Sequence, residues 1–491
     1  MARAIAVIFK ALAVLLMVAA PLLGVWVASS LAAYANARVG WVVLSGLLLF
    51  PGLPLAWEGI AQWRRARDGK GNKPHILTFG DRLVLRTLAV NIAFLGILLA
   101  STPKTAFVAL SARGDWFLRS SHGSLAERLR RGAFKLAGSL EWLYDATHPN
   151  PYDKYEAKDR PHPDKPGKPV TTPVATATAT GSPQNGAPRG ETEATPASWP
   201  MPHALHPIVT NMPPEAEQSI ESVGHYIAAH EKDPVLRIKA LHDWVTDRIA
   251  YDGPAFRSGN IPFDDGDSAK VFQRKLGVCA GYSQLMVALG KASGDEIVYV
   301  VGNVRTSESP VDGLAHAWNA VRISGAWYLI DATFDAGYLE GDKFHKQYSS
   351  DYLFTPPEVF GVSHFPEDKD WQLRDAPISR GDFIRQPMMQ PAFYARHLEL
   401  VAPDRSQVSV SGHVDIVLKN PSTQLLVDYV PSTGGTGTDC AVDHRGDSGA
   451  GNSLTHARCD LPSGSWNVML FGGDADYGKF EHLGTLAVNS R

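Results

Sequence analysis

Long apolar runs dominate the first hundred residues of the chain. The runs cover residues 5–33, 41–57 and 83–100. About 20 predominantly apolar residues are enough for a helix to cross the hydrocarbon core of a bilayer. The pattern therefore predicts a transmembrane region at residues 1–110 with about three helices. The alternative is that these segments are buried helices of a large soluble domain.

Basic residues are distributed unevenly between the loops that join these runs. The first loop carries Arg38, and the second loop carries Arg64, Arg65, Arg67, Lys70, Lys73 and Arg82. Loops rich in Lys and Arg stay on the cytoplasmic side. We therefore expect a multi-pass protein of the inner (plasma) membrane, with everything after the third run on the periplasmic, extracytoplasmic side. Cleavage of the first run as a signal peptide stays open, and it would not change this orientation.

Two segments of different composition follow the apolar runs. Residues 111–147 mix apolar and basic side chains at near-helical spacing, which predicts a juxtamembrane amphipathic helix. Residues 148–205 are rich in Pro, Thr and Ala. Such a composition cannot bury enough apolar surface to offset the entropy lost on ordering, so we expect a disordered linker.

Helical patterning returns after the linker. Apolar periodicity predicts two helices between residues 215 and 249, and a third from Cys279 to a stop at Gly294. A cysteine at a helix N-terminus is favoured as a thiolate by the macrodipole, and a thiolate is what a nucleophile requires. Taken alone, however, such a cysteine is more often an inert core residue.

Alternating apolar positions then predict strands, two of them joined at Ser324-Gly325 as a hairpin. With these two residues in the turn, Ile323 pairs with Ala326. Counting back along both strands places His316 opposite Thr333, and Trp318 opposite Asp331. His316 and Asp331 would then be diagonal neighbours on one face, within reach of an imidazole-to-carboxylate hydrogen bond.

A thiolate with a neighbouring His-Asp pair predicts acyl transfer. Cys279 would attack a carbonyl carbon and His316 would take and return the proton. Asp331 would hold the imidazole tautomer and stabilise its cation. The alternative is that His316 and Asp331 are a structural ion pair.

The same segments resemble a known family. The motifs GVCAGYSQL (277–285) and HAWNAVRISGAWYLIDATF (316–334) are similar to the papain-like Cys-His-Asp core of the transglutaminase-like superfamily. RIAYD (248–252) and the segment at 351–373 extend the resemblance, the latter to the kyphoscoliosis-peptidase-like branch. The resemblance implies an α+β catalytic domain at residues 206–390. Phe334-Asp335 stands where many relatives have Trp-Gly, so the floor of the active site is expected to differ.

The remaining site residues are less well defined. Gln273 lies six residues before Cys279, which is the spacing of the oxyanion glutamine in papain-type proteases, and it is our candidate oxyanion donor. Tyr282 and His364 are interpreted as structural residues. The sequence shows neither a Ca²⁺ loop nor metal-ligand spacing, so no cofactor and no metal are expected.

Short alternating runs between turns fill residues 391–491 and predict an antiparallel β-sandwich domain. Cys440 and Cys459 both lie there, and in an oxidising compartment they would pair as a disulfide, leaving Cys279 as the free thiol. Two cysteines can also stay unpaired.

These observations together predict a membrane-anchored, extracytoplasmic cysteine enzyme that acts on peptide or protein amide bonds through a thioester acyl-enzyme. We favour a peptidase, because water needs no dedicated acceptor site. The alternatives are a protein-glutamine transamidase and a catalytically silent envelope scaffold. The expected partners are a peptide or protein substrate, membrane lipid around the N-terminal helices, and an envelope protein in the scaffold case. A net charge of −3 gives no reason to expect nucleic acid.

Overall fold

The computed structural model of the protein describes most of the chain. It covers residues 2–68, 77–118, 123–157, 161, 163, 170–171, 197–262, 264, 266–307, 309–311, 313–420, 423–445, 454–473 and 479–491. Side chains are described from residue 17 onward, apart from 170–171 and 444–445. The chain forms two compact units, Met1–Pro149 with Ser379–Arg385, and Asn150–Ile378 with Gln386–Arg491.

The first unit is helical where it is described. Its helices are α1 (Ala2–Tyr34), α2 (Val39–Leu47), α3 (Leu53–Arg67), α4 (Phe79–Ser101), α5 (Pro103–Arg113), α6 (Ser124–Gly138) and α7 (Glu141–Thr147), with a π-helical turn at Leu48–Gly52 and the later helix Arg380–Arg385. Three stretches, Met17–Tyr34, Val39–Arg67 and Phe79–Ser101, are long and apolar enough to cross a membrane. This agrees with the three apolar runs of the sequence.

The predicted amphipathic helix at 111–147 is divided in the structure. α5 ends at Arg113, and the polar-apolar pattern is carried by α6 and α7, which are separated by Ser139 and Leu140. Leu125 and Trp142 are 70% and 66% exposed, respectively. An apolar face is thus present, but it is spread over two short helices because the chain turns after Gly138.

The second unit contains the remaining elements. Its helices are α8 (Pro207–Thr210), α9 (Ile220–His230), α10 (Pro234–Arg248), α11 (Gly253–Ser258), α12 (Ser268–Arg274), α13 (Cys279–Ser293), α14 (Ala332–Ala336), α15 (Pro357–Ser363) and α16 (Pro391–Ala395). Its first strands are β1 (Val170–Thr171), β2 (Ser198–Trp199), β3 (Ala250–Tyr251), β4 (Leu276–Gly277), β5 (Glu296–Val304), β6 (Leu314–Ile323), β7 (Ala326–Ile330), β8 (Gly337–Glu340), β9 (Lys343–Lys346), β10 (Leu353–Thr355) and β11 (His364–Pro366).

An antiparallel sheet in the order β10-β7-β6-β5-β11 forms the centre of this part. Helices α9, α10 and α13 share one hydrophobic core with it, in which Trp244, Leu285 and Ile330 are fully buried. The predicted helices are therefore amphipathic because one face of each covers this core. The mixture of helices and an antiparallel sheet agrees with the predicted α+β class.

The predicted disordered linker at 148–205 lies largely outside the described residues, but its two ends are packed. The Asn150 amide donates to the Gly302 carbonyl at 2.6 Å. Trp199 is 2% exposed, and its indole donates to the Asp351 carbonyl at 3.0 Å. The linker prediction therefore fails at both ends, because Tyr152 and Trp199 supply the aromatic surface that the central residues lack.

The C-terminal part consists of β12 (Glu399–Ala402), β13 (Gln407–Val410), β14 (His413–Lys419), β15 (Gln424–Pro431), β16 (Thr438–Asp439), β17 (Ala441–Arg445), β18 (Leu454–Asp460), β19 (Gly464–Gly473) and β20 (Glu481–Ser490). They form two sheets, ordered β12-β14-β18-β17 and β13-β20-β19-β15-β16. Residues of both sheets, among them Ile416 and Leu470, belong to one hydrophobic cluster. The pairing of β13 with β20 is parallel, which departs from the predicted purely antiparallel arrangement.

A disulfide joins Cys440 to Cys459 across a sequence separation of 19 residues. Closing a loop of that length removes entropy from the unfolded chain worth about 3 kcal/mol. We expect the double variant Cys440→Ala/Cys459→Ala to unfold more easily by roughly that free energy, measured by urea unfolding of the C-terminal sheets without reductant. The Cys279→Ala variant keeps the disulfide. Adding reductant to this variant should break that bond and lower the unfolding free energy by the same amount. Equal stability of wild type and double variant would contradict a stabilising bond.

Candidate active site

Cys279 is the first residue of α13, as the sequence predicted. The preceding chain is fixed by β4, which pairs in parallel with β3, and by Lys275, whose φ of 53° ends α12. The first turn of α13 presents backbone amides without helical partners at its positive end. Cys279 is 1% exposed and lies in a small apolar cluster with Tyr299 and Ala317.

The hairpin that carries His316 has the predicted turn. Ser324 and Gly325 both have positive φ, 51° and 80°, which is the conformation of a two-residue hairpin turn. Ile323 pairs with Ala326, and the ladder continues to Asn319 opposite Ile330. The predicted register is therefore correct along the whole of β7.

The predicted pairing of His316 with Thr333 is wrong, because the chain leaves the sheet at Asp331. The Asp331 side chain caps α14: its Oδ1 accepts the backbone N–H of Thr333 at 2.8 Å and of Phe334 at 3.2 Å. Its other oxygen, Oδ2, lies 2.7 Å from His316 Nε2. The hydrogen bond between base and acid is present, but it is made from a helix cap.

The electrostatics of the pair follow from burial and from charge. Burial alone would raise the pKa of Asp331, but the charge and hydrogen bond of His316 and the hydrogen bond of His364 hold the pKa below its usual value. Burial would likewise lower the pKa of His316. The Asp331 carboxylate, the charge of Cys279 and hydrogen bonds to both side chains instead raise that pKa to about 10. His316 is therefore an imidazolium held between a carboxylate and a sulfur.

His364 was interpreted from the sequence as structural, yet it contacts Asp331 directly. Its Nε2 lies 3.0 Å from Asp331 Oδ2, and its Nδ1 lies 2.8 Å from Ser363 Oγ. Burial, reinforced by the charge of His316, lowers the pKa of His364 to about 4. His364 is thus neutral at pH 7, with its proton on Nε2 because the carboxylate can only accept. The motif match at 351–373 was the one signal that could have indicated it.

Tyr152, from the predicted linker, was also missed. Its hydroxyl and the Cys279 side chain hydrogen-bond, and burial together with the nearby sulfur raises the pKa of Tyr152. Tyr299 Oη donates to the Tyr152 carbonyl at 3.2 Å, and the Tyr152 N–H donates to Asn150 Oδ1 at 3.1 Å. These two bonds hold the Tyr152 backbone, and its side chain belongs to the same apolar cluster as Cys279. The sequence did not predict this contact, because the surrounding stretch is proline-rich and such a composition predicts disorder.

Gln273, the candidate oxyanion donor, lies exposed near the end of α12. The same short helix buries Val271 and Phe272 against the core, which turns the next side chain to solvent. The sequence spacing to Cys279 was therefore misleading. Tyr282 has the structural role expected of it: its hydroxyl donates to the Ile249 carbonyl at 2.7 Å.

Phe334 and Asp335 both lie close to the His316–Asp331 pair, in different surroundings. The Phe334 ring centroid lies 5.1 Å from that of His316. Asp335 is fully buried, and its Oδ2 lies 3.1 Å from His242 Nε2. Burial would lower the pKa of His242, but hydrogen bonds and charge from Asp243 and Asp335 raise it to about 9. A buried ion pair thus ties α14 to α10.

Three side chains in this region also have the composition of a metal-binding group. The ligand atoms of His316, Asp331 and His364 lie within 4.8 Å of one another. Two histidines and a carboxylate suit a catalytic zinc ion. Nε2 of His316 and Nε2 of His364, however, both hydrogen-bond to Asp331 Oδ2 already. A bound ion would have to replace both of these hydrogen bonds.

Part of the chain that carries this site is similar to known proteins. The family model of the Transglutaminase-like superfamily matches residues 221–332. Kyphoscoliosis peptidase of Mus musculus is 28% identical over 200 residues, covering 39% of this chain and 30% of that protein. The Homo sapiens protein of the same name is 27% identical with the same coverage. The chain therefore spans about 30% of the length of these curated relatives. A solved structure described as a TGase gives 21% identity and a TM-score of 0.21, over 28% of this chain and 37% of its own.

The raised pKa of His316 makes stability depend on pH. A free histidine titrates near 6.5 and His316 near 10, so the folded state binds the proton more tightly. This stabilisation is complete below about pH 6.5 and is lost as the pH rises through about 10. Between pH 7 and pH 10 we expect the unfolding free energy of the full chain in detergent to fall by at least about 1 kcal/mol more than that of His316→Gln. Parallel pH profiles, followed by tryptophan fluorescence, would contradict the assignment.

Proposed function

We propose that the transglutaminase-like domain of this chain is a membrane-anchored, extracytoplasmic cysteine enzyme that acts on amide bonds of peptides or proteins. Hydrolysis is its proposed outcome. The observation that carries the proposal is the position of His316, whose Nε2 lies 2.7 Å from Asp331 Oδ2 and which is close enough to Cys279 for that side chain to raise the pKa of His316. That order of sulfur, imidazole and carboxylate is the arrangement that activates a thiol nucleophile.

Each residue has a defined part in the proposed reaction. The Cys279 sulfur attacks the carbonyl carbon, and amides in the first turn of α13 face the oxygen on which negative charge develops. The His316 imidazolium gives its proton to the leaving amine and so leaves a thioester on Cys279. The neutral imidazole then takes a proton from water, which attacks the thioester and releases the acid. Asp331 holds the His316 ring throughout through Nε2.

Tyr152 limits access to the sulfur in the conformation described. A carbonyl carbon must come within about 3–3.5 Å of the nucleophile before it reacts. Cys279 is 1% exposed, and the Tyr152 hydroxyl occupies its polar side. The Tyr152 side chain must therefore move when a substrate binds.

The three candidate spans support the proposed anchoring. Positive charge concentrated in the loop between the second and third runs supports the cytoplasmic placement of that loop, and hence a periplasmic catalytic domain. The disulfide between Cys440 and Cys459 fits an oxidising compartment. We propose that the two C-terminal sheets, which share one core, are a β-sandwich.

The relatives do not decide between the possible reactions. Two of them are called peptidases, which favours hydrolysis, whereas the superfamily name fits protein-glutamine transamidation equally well. Both reactions use the same thioester. A catalytically silent scaffold needs neither an imidazolium beside the sulfur nor a carboxylate to hold it, and that observation weighs against it.

Labelling with iodoacetamide separates an enzyme from a scaffold. We expect Cys279 of the full chain in membranes to be alkylated near pH 7, and His316→Gln to react at least about tenfold more slowly because the imidazolium partner is lost. Cys279→Ala is the negative control. Its two remaining cysteines, Cys440 and Cys459, are paired in the disulfide and do not react. If the wild-type thiol is slow because it is covered, Tyr152→Ala should expose it. An unreactive Cys279 in that variant as well would refute the proposal.

His364 should act as a positioning residue through its hydrogen bond to Asp331. His364→Leu removes the donor and largely keeps the volume, and we expect the alkylation rate of Cys279 at pH 7 to fall roughly tenfold or more. His364→Gln, whose amide N–H can replace Nε2, should recover most of the rate. A purely structural role would lower thermal stability in His364→Leu without recovery of the rate in His364→Gln.

A further inference from the structure

A cleft of ≈ 510 Å³ opens beside His316 in the second unit. His316 and Phe334 are among its lining residues. Leu339 and Phe344 of the hairpin β8–β9 form one part of its wall, and Met388 forms another. The proposed proton carrier thus lines the cleft directly.

The wall that contains Met388 belongs to the chain leading into the C-terminal sheets. Met389 forms a bridge with Gly484 of β20, and the Gln390 N–H donates to the Leu483 carbonyl at 2.8 Å. Met389 is 3% exposed. The C-terminal sheets therefore hold this wall in place and complete the cleft.

The charged groups around the cleft are already engaged. The Arg305 guanidinium donates to the carbonyls of Val362 and Gln386. The Arg257 Nε donates to the Gly341 carbonyl at 2.8 Å, and Asp351 lies 3.3 Å from His203 Nε2. The uncharged lining is mixed: polar side chains such as Gln347, Ser349 and Gln390 are present, and Leu339, Phe344 and Met388 supply the apolar surface. Such a surface gains most from an apolar occupant.

One polar atom in the cleft lacks a partner. The hydroxyl of Thr333, a residue that is 8% exposed and lines the cleft, makes no hydrogen bond among the residues described. A buried hydroxyl left in this state costs free energy, so a ligand group that bonds to it binds more tightly. The Thr333 backbone meanwhile donates to Asp331 Oδ1, which fixes the side chain beside the proposed triad.

We propose that this cleft binds a large apolar or aromatic side chain of the peptide that acylates Cys279, and that the Thr333 hydroxyl bonds to a backbone carbonyl of the same peptide. The inference rests on the proposed function and specifies its substrate class. It also gives the C-terminal sheets a part in specificity, because they support the wall at Met388. Contact with Leu339, Phe344 and Met388 favours such a side chain over glutamine, the side chain that transamidation would require, because burying an unpaired amide costs free energy.

Peptidyl chloromethyl ketones that differ only in the side chain next to the ketone test the inference. The Cys279 thiolate forms a sulfur–carbon bond, the carbon–chlorine bond breaks, and chloride leaves. On the full chain in membranes, probes with Phe or Leu should inactivate at least about tenfold faster than probes with Gly, Gln, Glu or Lys, because the aromatic or aliphatic side chain is buried.

Substitutions in the two parts of the cleft wall test whether the cleft causes the preference for the Phe and Leu probes. Leu339→Glu and Met388→Glu should each lower the rate with the Phe probe about tenfold or more relative to the iodoacetamide rate of the same variant. Leu236→Glu is the matched control in which that ratio should not change, because Leu236 lies on α10, is 39% exposed and is not a cleft residue. Thr333→Val, which keeps the shape, should slow all peptidyl probes about tenfold relative to iodoacetamide measured on the same variant.

The outcomes separate the two proposals. If iodoacetamide labels Cys279 but the peptidyl probes react equally, or the Gln, Glu or Lys probe reacts fastest, the cleft assignment is wrong and the enzyme stands. Unchanged Phe-probe rates in both wall variants would also overturn it. If neither reagent class modifies Cys279, even with Tyr152→Ala, the proposed function fails and this inference fails with it.

Discussion

The site depends on one buried carboxylate. Asp331 is 1% exposed, and removing a charge from water is tolerated only where hydrogen bonds replace the lost hydration. Four donors do so: His316 from β6, His364 from β11, and the backbone amides of Thr333 and Phe334 from α14. The strands β6 and β11 and the first turn of α14 must therefore be assembled before all four hydrogen bonds to the Asp331 carboxylate can form. The geometry of the proposed triad and the local fold are consequences of the same requirement.

The parts of the site that the sequence predicted are those set by local rules. Ser324-Gly325 specifies a two-residue turn, which fixed the register between β6 and β7, and Gly277 with the following apolar period located Cys279 at a helix start. The sequence did not predict that His364 and Tyr152 contact the site, because each residue reaches it by long-range packing. No periodicity encodes such a contact, since it depends on which strand pairs with β5 or on where a proline-rich segment folds back.

Two of the predictions made for the site failed for identifiable physical reasons. The spacing to Cys279 alone suggested Gln273 as the oxyanion donor. The seven-residue helix α12 buries Val271 and Phe272, however, and this leaves the next side chain, Gln273, exposed. The pairing of His316 with Thr333 assumed that β7 continues, whereas an aspartate that can cap a helix ends the strand at Asp331. Asp335 is likewise a buried carboxylate, and its Oδ2 lies 3.1 Å from His242 Nε2.

The contact between Tyr152 and Cys279 has a consequence for the sulfur that is separate from the proposed reaction. A thiolate beside an imidazolium is also the form that peroxide oxidises to sulfenic acid, and the proposed compartment is oxidising. Because Tyr152 and Tyr299 share a buried cluster with Cys279, the sulfur is shielded from such oxidants in the conformation described. A fragment trimmed to begin at residue 206 would lack Tyr152 and would leave the sulfur more open to oxidation.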